Sequence, residues 1–172
     1  MVTLAFFAII TGVGGGTMRD LLIGAPVFWI VDSRAAAVCL SAALVIWITP
    51  ERWWRGAALD WFDALGLAAY AVYGAAKALG YGVPPVPAFL MGVVTACVGG
   101  IIRDVLAGEP SILMRPELYV TAAALASALF VGLSLLGMEG APAAVIAASA
   151  GFALRAAAIR WQLHLPAYRQ RR

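Results

Sequence analysis

The chain has 172 residues, 63% of them hydrophobic and only 12% charged, with a mean hydropathy of +0.92 and a formal net charge of +3. Soluble domains carry about 25% charged residues, so the composition excludes a soluble globular domain and identifies a polytopic membrane protein. The small positive balance implies no nucleic-acid partner, because the basic residues sit at the ends of apolar segments and at the C-terminus (Arg169, Arg171 and Arg172).

Six apolar segments are predicted to cross the bilayer as helices, most of them near the ~20 residues that a crossing needs. The first is Val2–Gly24, interrupted by Gly14-Gly15-Gly16. It lacks a basic n-region, so it is read as a span and not as a cleaved signal. The second, Ala35–Thr49, is short and stopped by Pro50, and its start is expected to reach back into Phe28–Asp32. The third is Trp61–Leu79, followed by Gly80-Tyr81-Gly82 and by Pro84, Pro85 and Pro87. The fourth is Pro87–Gly108, interrupted at Gly99-Gly100, and the last two are Glu117–Gly137 and Pro142–Trp161.

Alternating sides through six spans puts Arg52, Arg55, Arg115, Arg160, Arg169, Arg171 and Arg172 on one face of the membrane, and Arg34 and Lys77 on the other. The positive-inside rule makes the first face cytoplasmic, C-terminus included. The expected location is the inner (plasma) membrane. Trp53, Trp54, Trp61 and Trp161 mark span ends, as interfacial aromatics do. Cys39 and Cys97 lie inside apolar spans and His164 at the end of the last one. No disulfide framework, metal site or cofactor is therefore expected. Asp, Glu, His and Ser are too sparse for an acid–base pair or a nucleophile triad, which argues against an enzyme.

The chemistry concentrates in Gly14-Gly15-Gly16-Thr17-Met18-Arg19-Asp20. Glycine weakens a helix interior by roughly 1 kcal/mol, and ionised side chains within a span are costly and usually functional. The device recurs at Thr95 to Asp104. A shift of 84 residues aligns Thr11, Gly15, Gly16, Arg19, Asp20, Leu22, Gly24 and Pro26 with Thr95, Gly99, Gly100, Arg103, Asp104, Leu106, Gly108 and Pro110, eight identities in sixteen positions. Such repeats mark two halves about a pseudo-two-fold axis, with a transport path between them. The organisation read from this is a single transmembrane domain, with residues 1–50 as the first repeat, 61–137 as the second and 142–161 as a final helix. The same shift puts the counterpart of Trp61–Leu79 ahead of Met1, so the first repeat lacks its first helix here. The expectation is a native gene that starts upstream, or a truncated form. Three helices per repeat is an odd number, so the halves have inverted topology.

Two readings of the glycines stand side by side. Gly12 and Gly16 form a GxxxG pair, which packs helices closely. Alternatively the helices break at mid-membrane and present backbone groups to a path. A phosphate-loop reading fails, because Thr17 stands where a third glycine is needed and no strand precedes. The broken-helix reading makes Gly14, Gly15, Gly16, Gly99 and Gly100 the pore and gating residues, joined by the hydroxyls of Thr11, Thr17 and Thr95. It predicts that alanine at Gly15 or Gly99 alters flux more than folding, and close packing predicts the reverse. Arg19-Asp20 and Arg103-Asp104 either end each helix or lie within the membrane. Neighbours on a helix point about 100° apart, so the expected partners are crossed, Arg19 with Asp104 and Arg103 with Asp20. Asp63, Tyr70 and Lys77 are spaced by seven and share one face. With Tyr73 they either face the pore or serve as span-end anchors and packing. Ala122–Ala128 and Ala143–Ala158 are small-residue runs suited to helix packing.

Gly14 to Trp29 resembles a segment of the bacterial and archaeal trimeric intracellular cation (TRIC) channels, Gly-Gly-Gly-Thr-hydrophobic-Arg-Asp-Leu-Leu followed by Gly-x-Pro-hydrophobic-Phe-Trp. Val98 to Pro110 is similar to the family's second copy, and Asp63 to Ala78 looks like its fourth helix. The resemblance spans almost the whole chain. It implies an all-α bundle of two inverted three-helix repeats plus a final helix, assembled as a homotrimer among membrane lipids. Each subunit would hold an hourglass pore lined by the two glycine-broken helices and conducting monovalent cations, chiefly potassium. The same bacterial families include glycine-transporter-like proteins, so the alternative is a small amino-acid transporter on the same core. A scaffold without a permeant is a third, weaker reading. The sequence departs from the family's pattern in lacking the first helix, and in Val98 where the first copy has Gly14, which implies a gentler second break.

Overall fold

The computed structural model describes residues 1–53, 58–109, 111, 118–138 and 140–163. Trp54, Arg55, Pro110, Arg115, Glu117, His164, Arg169, Arg171 and Arg172, used above for spans, repeat and orientation, lie outside the described residues.

The fold is an all-α bundle. Its elements are α1 (Val2–Leu22), α2 (Phe28–Val31), α3 (Arg34–Ile48), a 3-10 turn (Glu51–Trp53), α4 (Ala58–Gly80), α5 (Pro85–Ala107), α6 (Tyr119–Leu135) and α7 (Ala141–Trp161). α1, α5 and α7 are long and apolar enough to cross a membrane. α4 is equally long at 23 residues but carries Asp60, Asp63 and Lys77. α5 and α7 start with proline in the first turn, where its missing N–H costs nothing.

α3 does not reach back into Phe28–Asp32 as the sequence suggested. Asp32 interrupts the helix, because its carboxylate accepts from the Arg34 N–H at 2.9 Å and pairs with the Arg34 guanidinium at 2.9 Å. This is the local turn that aspartate favours over helix continuation. The Arg34 N–H, and then its guanidinium, hold the Asp32 carboxyl below its ordinary range. Both side chains are well exposed, so the pair shapes the turn without adding much stability.

The repeat is visible in how α1 and α5 end. Gly24 and Gly108, equivalent at the 84-residue shift, both adopt the left-handed conformation with φ of 68° and 69°. The next N–H then turns back in each case, Ala25 to the Asp20 carbonyl at 2.8 Å and Glu109 to the Asp104 carbonyl at 3.0 Å. This is the helix-ending bond of a Schellman motif, which a residue with a side chain adopts only under strain.

α1 and α5 also cross in a reciprocal way. Gly15 faces the Thr95 carbonyl, and Gly99 faces the Thr11 carbonyl. Advancing along α1 from Thr11 to Gly15 retreats along α5 from Gly99 to Thr95, so the helices run antiparallel about a local two-fold that passes between Val13 and Cys97. Antiparallel equivalents are what an odd number of helices per repeat requires.

α5 is enclosed by α4 and α6, and α7 closes the group against α4 and α6. Small residues set these contacts. Gly92 faces the Ala71 carbonyl, and a Cβ on Gly151 would lie 2.6 Å from that of Ala126. Ser127 of α6 donates to the Phe89 carbonyl of α5 at 2.7 Å. In lipid there is no hydrophobic drive to bring helices together, so close van der Waals approach and such bonds carry the association. α1 rests on α5 and α3, and has among the described residues no helix standing to it as α4 stands to α5.

Candidate functional site

A cavity of about 390 Å³ lies against the α1–α5 crossing, walled on another side by α4. Its lining includes Thr11, Gly16 and Arg19 from α1, Asp63, Tyr70 and Tyr73 from α4, Thr95, Gly99 and Gly100 from α5, with Phe28 and Tyr119. Tyr70 and Tyr73 stay about half exposed, at 47% and 49%, so the cavity is open along the α4 side.

The predicted site residues divide into those that line this space and those that build its frame. Thr11, Gly16, Arg19, Asp63, Tyr70, Tyr73, Thr95, Gly99 and Gly100 line it. Gly14 and Gly15 instead turn to α5, where Gly14 faces Ile102 and the Gly99 backbone. Thr17 is occupied otherwise, donating to the Val13 carbonyl at 2.8 Å and accepting from the Trp29 indole N–H at 2.9 Å. Asp20, Lys77, Arg103 and Asp104 stand behind the lining in ion pairs.

Two expectations are corrected here. The helices are not broken at the glycines: α1 runs unbroken from Val2 to Leu22 and α5 from Pro85 to Ala107, with no left-handed glycine within either. The glycines serve the other reading. They let two backbones approach until side chains no longer fit between them. Alanine at Gly15 or Gly99 therefore attacks folding first.

The crossed ion pairs are also absent. Arg19 pairs with its own neighbour, Nε donating to Asp20 Oδ1 at 2.9 Å with Nη2 2.8 Å away, and Arg103 pairs with Asp104 at 2.9–3.0 Å. An angle of about 100° between neighbouring side chains does not keep a long arginine from folding back. The antiparallel crossing settles the matter, because it sends the C-terminal ends of α1 and α5 to opposite ends of the bundle.

Each end consequently has its own polar cluster. At the first, Asp20 is fully buried and serves as hub. Its Oδ1 takes Arg19 and the Lys77 ammonium at 2.8 Å, and its Oδ2 accepts the Phe28 N–H at 2.9 Å. The Arg19 guanidinium is also fully buried, flanked by the rings of Tyr73 at 5.1 Å and Phe28 at 5.8 Å. At the second end Asp63 lies within hydrogen-bonding reach of Tyr119 and in the field of Arg103 and Arg155. Arg155 is buried, with its guanidinium 5.2 Å from the Tyr119 ring. Asp63 and Lys77 share a face of α4, as their spacing predicts, and the helix delivers one to each cluster.

Tyr119 and Arg155 escaped the sequence reading. Arg155 sits within the small-residue run Ala143–Ala158, and an ionisable residue in the middle of a span is itself the signal that would have found it. Tyr119 carried no such mark.

The profile of the family described as "Glycine transporter" matches residues 1–51 and 60–135. A UPF0126 membrane protein of Vibrio cholerae is 38% identical over 167 residues, covering 94% of this chain and 69% of its own length. The UPF0126 inner membrane protein YadS of Escherichia coli K12 is 35% identical over 171 residues, covering 93% and 79%. Among solved structures, the TRIC trimeric intracellular cation channel orthologue from Rhodobacter sphaeroides superposes with a TM-score of 0.81 at 43% identity, over 90% of this chain and 80% of that one. A second TRIC cation channel structure, at 23% identity and a TM-score of 0.83, shares the fold over the whole of this chain.

Proposed function

The chain belongs to the glycine transporter family, whose profile it matches over most of its length, and we propose that its activity is passive conduction of monovalent cations, chiefly potassium. In this reading it is a homotrimer in the inner membrane with one pore per subunit, its C-terminus in the cytoplasm. The cation class is supported by the 43%-identical Rhodobacter sphaeroides orthologue, which is described as a trimeric intracellular cation channel.

One observation carries the reading. Two arginines beside a path argue for anions, yet Arg103 does not line the cavity, and Arg19, which borders it, is sealed by its neighbours and paired with Asp20. The partly exposed charged residue of the lining is Asp63, in company with the hydroxyl-bearing side chains of Thr11, Thr95, Tyr70 and Tyr119. A carboxylate and neutral oxygens are the ligands that hard monovalent cations accept in place of water. The cavity abuts the α1–α5 crossing, and conduction requires the path to continue past the closely packed glycines. Separation of the two helices at that crossing is the motion the reading calls for.

A second reading, transport of a glycine-sized amino acid, is favoured only by the family's description. Planar bilayer recording of the purified protein under potassium, sodium and chloride gradients, beside glycine uptake into the same vesicles, separates the two. Cation-selective unitary currents without uptake are expected. Saturable glycine uptake without unitary currents overturns the channel reading.

A further inference from the structure

We infer that Arg19 holds a small monovalent anion at the edge of the cavity, a halide or a carboxylate no larger than formate, as a resident counter-charge. The inference rests on charge balance and burial, not on conduction.

Asp20 Oδ1 takes both Arg19, at 2.8–2.9 Å, and Lys77, at 2.8 Å, while Oδ2 is committed to the Phe28 N–H. Two cations thus share one carboxylate, and among the described residues no second acid pairs with either of them. The helix ends do not make up the difference. In the last turns of α1 and α4 the carbonyls of Arg19, Asp20, Lys77 and Ala78 already accept from the N–H groups of Ile23, Ala25, Tyr81 and Val83, and it is free carbonyls that give a helix end its negative charge. The opposite cluster has no such surplus of cations among the described residues, with Asp63, Asp104 and the nearby Asp60 against Arg103 and Arg155.

Arg19 also has an unmet donor. Its Nη1 has no hydrogen-bond partner among the described residues, although the side chain has no exposed surface. A buried charged donor is ordinarily satisfied. Arg19, Phe28 and Tyr73 all line the cavity, so an anion reaches Nη1 from there once either ring turns about its side-chain torsions. The enclosure sets the ligand class. Rings at 5.1 and 5.8 Å from the guanidinium leave no room for a lipid headgroup. A zwitterionic amino acid would bring its ammonium against a cluster that already holds a surplus cation.

The test is structural and thermal. Crystals of the full chain grown in bromide are expected to show an anomalous peak beside Arg19 Nη1. A water there instead, or bromide only at other places, overturns the assignment. In nanodiscs at fixed ionic strength, replacing gluconate by chloride or formate is expected to raise the unfolding midpoint to a plateau. Arg19→Lys, which keeps a charge but removes Nη1, should abolish the rise. Should that variant not fold, Lys77→Met removes the surplus cation and should abolish it too. A flat response in the wild type, or an undiminished rise in Lys77→Met, overturns the proposal, as does displacement of bromide by glycine. None of these readouts is a current, so their failure leaves the conduction reading standing, and a silent bilayer leaves the bromide result standing.

Discussion

Gly15 stands so close to Thr95 across the α1–α5 crossing that a Cβ on the glycine would collide with the threonine's main-chain carbonyl. The obstacle is backbone on a packed helix, which cannot swing aside. Gly15→Ala and its equivalent Gly99→Ala are each expected to destabilise by about 1–3 kcal/mol, the usual cost of overpacking. Gly14→Ala meets chiefly the mobile end of Ile102, 3.3 Å away, and gains up to roughly 1 kcal/mol of helix propensity. Thermal unfolding and folded yield in nanodiscs check the order. Equal tolerance at all three positions would count against a packing role.

Asp20→Asn and Asp104→Asn should differ although the repeat makes them equivalent. Asp20 is sealed and answers for two cations, so its loss strands buried charge, at a cost of about 3–5 kcal/mol. Asp104 pairs with an Arg103 side chain that is 37% exposed, where water takes up part of the charge. Unfolding midpoints of the two variants, measured side by side, should fall much further for Asp20→Asn.

Asp63→Asn removes the carboxylate of the cavity lining while keeping its shape and a hydrogen-bond partner for Tyr119. The expected outcome is a lower unitary potassium conductance and weaker cation-over-anion selectivity, with the folded yield retained. Reversal potentials in asymmetric potassium chloride measure it. Unchanged selectivity would remove Asp63 from the path.

Orientation is checked with C-terminal reporters. A fluorescent fusion that matures in the cytoplasm is expected to be bright, and a phosphatase fusion that works only outside is expected to be inactive. The opposite pattern would invert the assignment made from the arginines.

Hydropathy and proline positions made the helices legible, because in a bilayer the backbone must satisfy itself within each span. The repeat was legible because Arg and Asp are rare in such a chain, and the reciprocal crossing of Gly15 and Gly99 bears out its antiparallel sense. The conformation of the glycines was not legible. The same three residues permit a break or a close approach, and what chooses is the partner backbone, here Thr95 and Thr11, which lies 80 or more residues away in sequence. Pairing failed for a related reason. A projected angle between Arg19 and Asp20 says nothing of how far a guanidinium folds back, nor that Lys77 arrives from α4 to claim the same oxygen. Of the cavity wall, Asp63 and Tyr70 were legible as one face of α4 from their spacing of seven, which also singled out Lys77, a residue that stands behind the lining; Tyr73 lies off that spacing. Phe28 was not legible, because it is placed by a hydrogen bond from its backbone to Asp20.

The crossing is two-fold in its backbone, but the two clusters it separates are not alike. Among the described residues one carries two cations on a single carboxylate, and the other sets Asp60, Asp63 and Asp104 against Arg103 and Arg155. A cation entering from the Lys77 end climbs a potential that one entering from the Asp63 end does not meet first. A path laid through such a frame rectifies: at equal and opposite voltages it passes unequal current, and filling the Arg19 site with an anion would make the current–voltage curve more nearly straight.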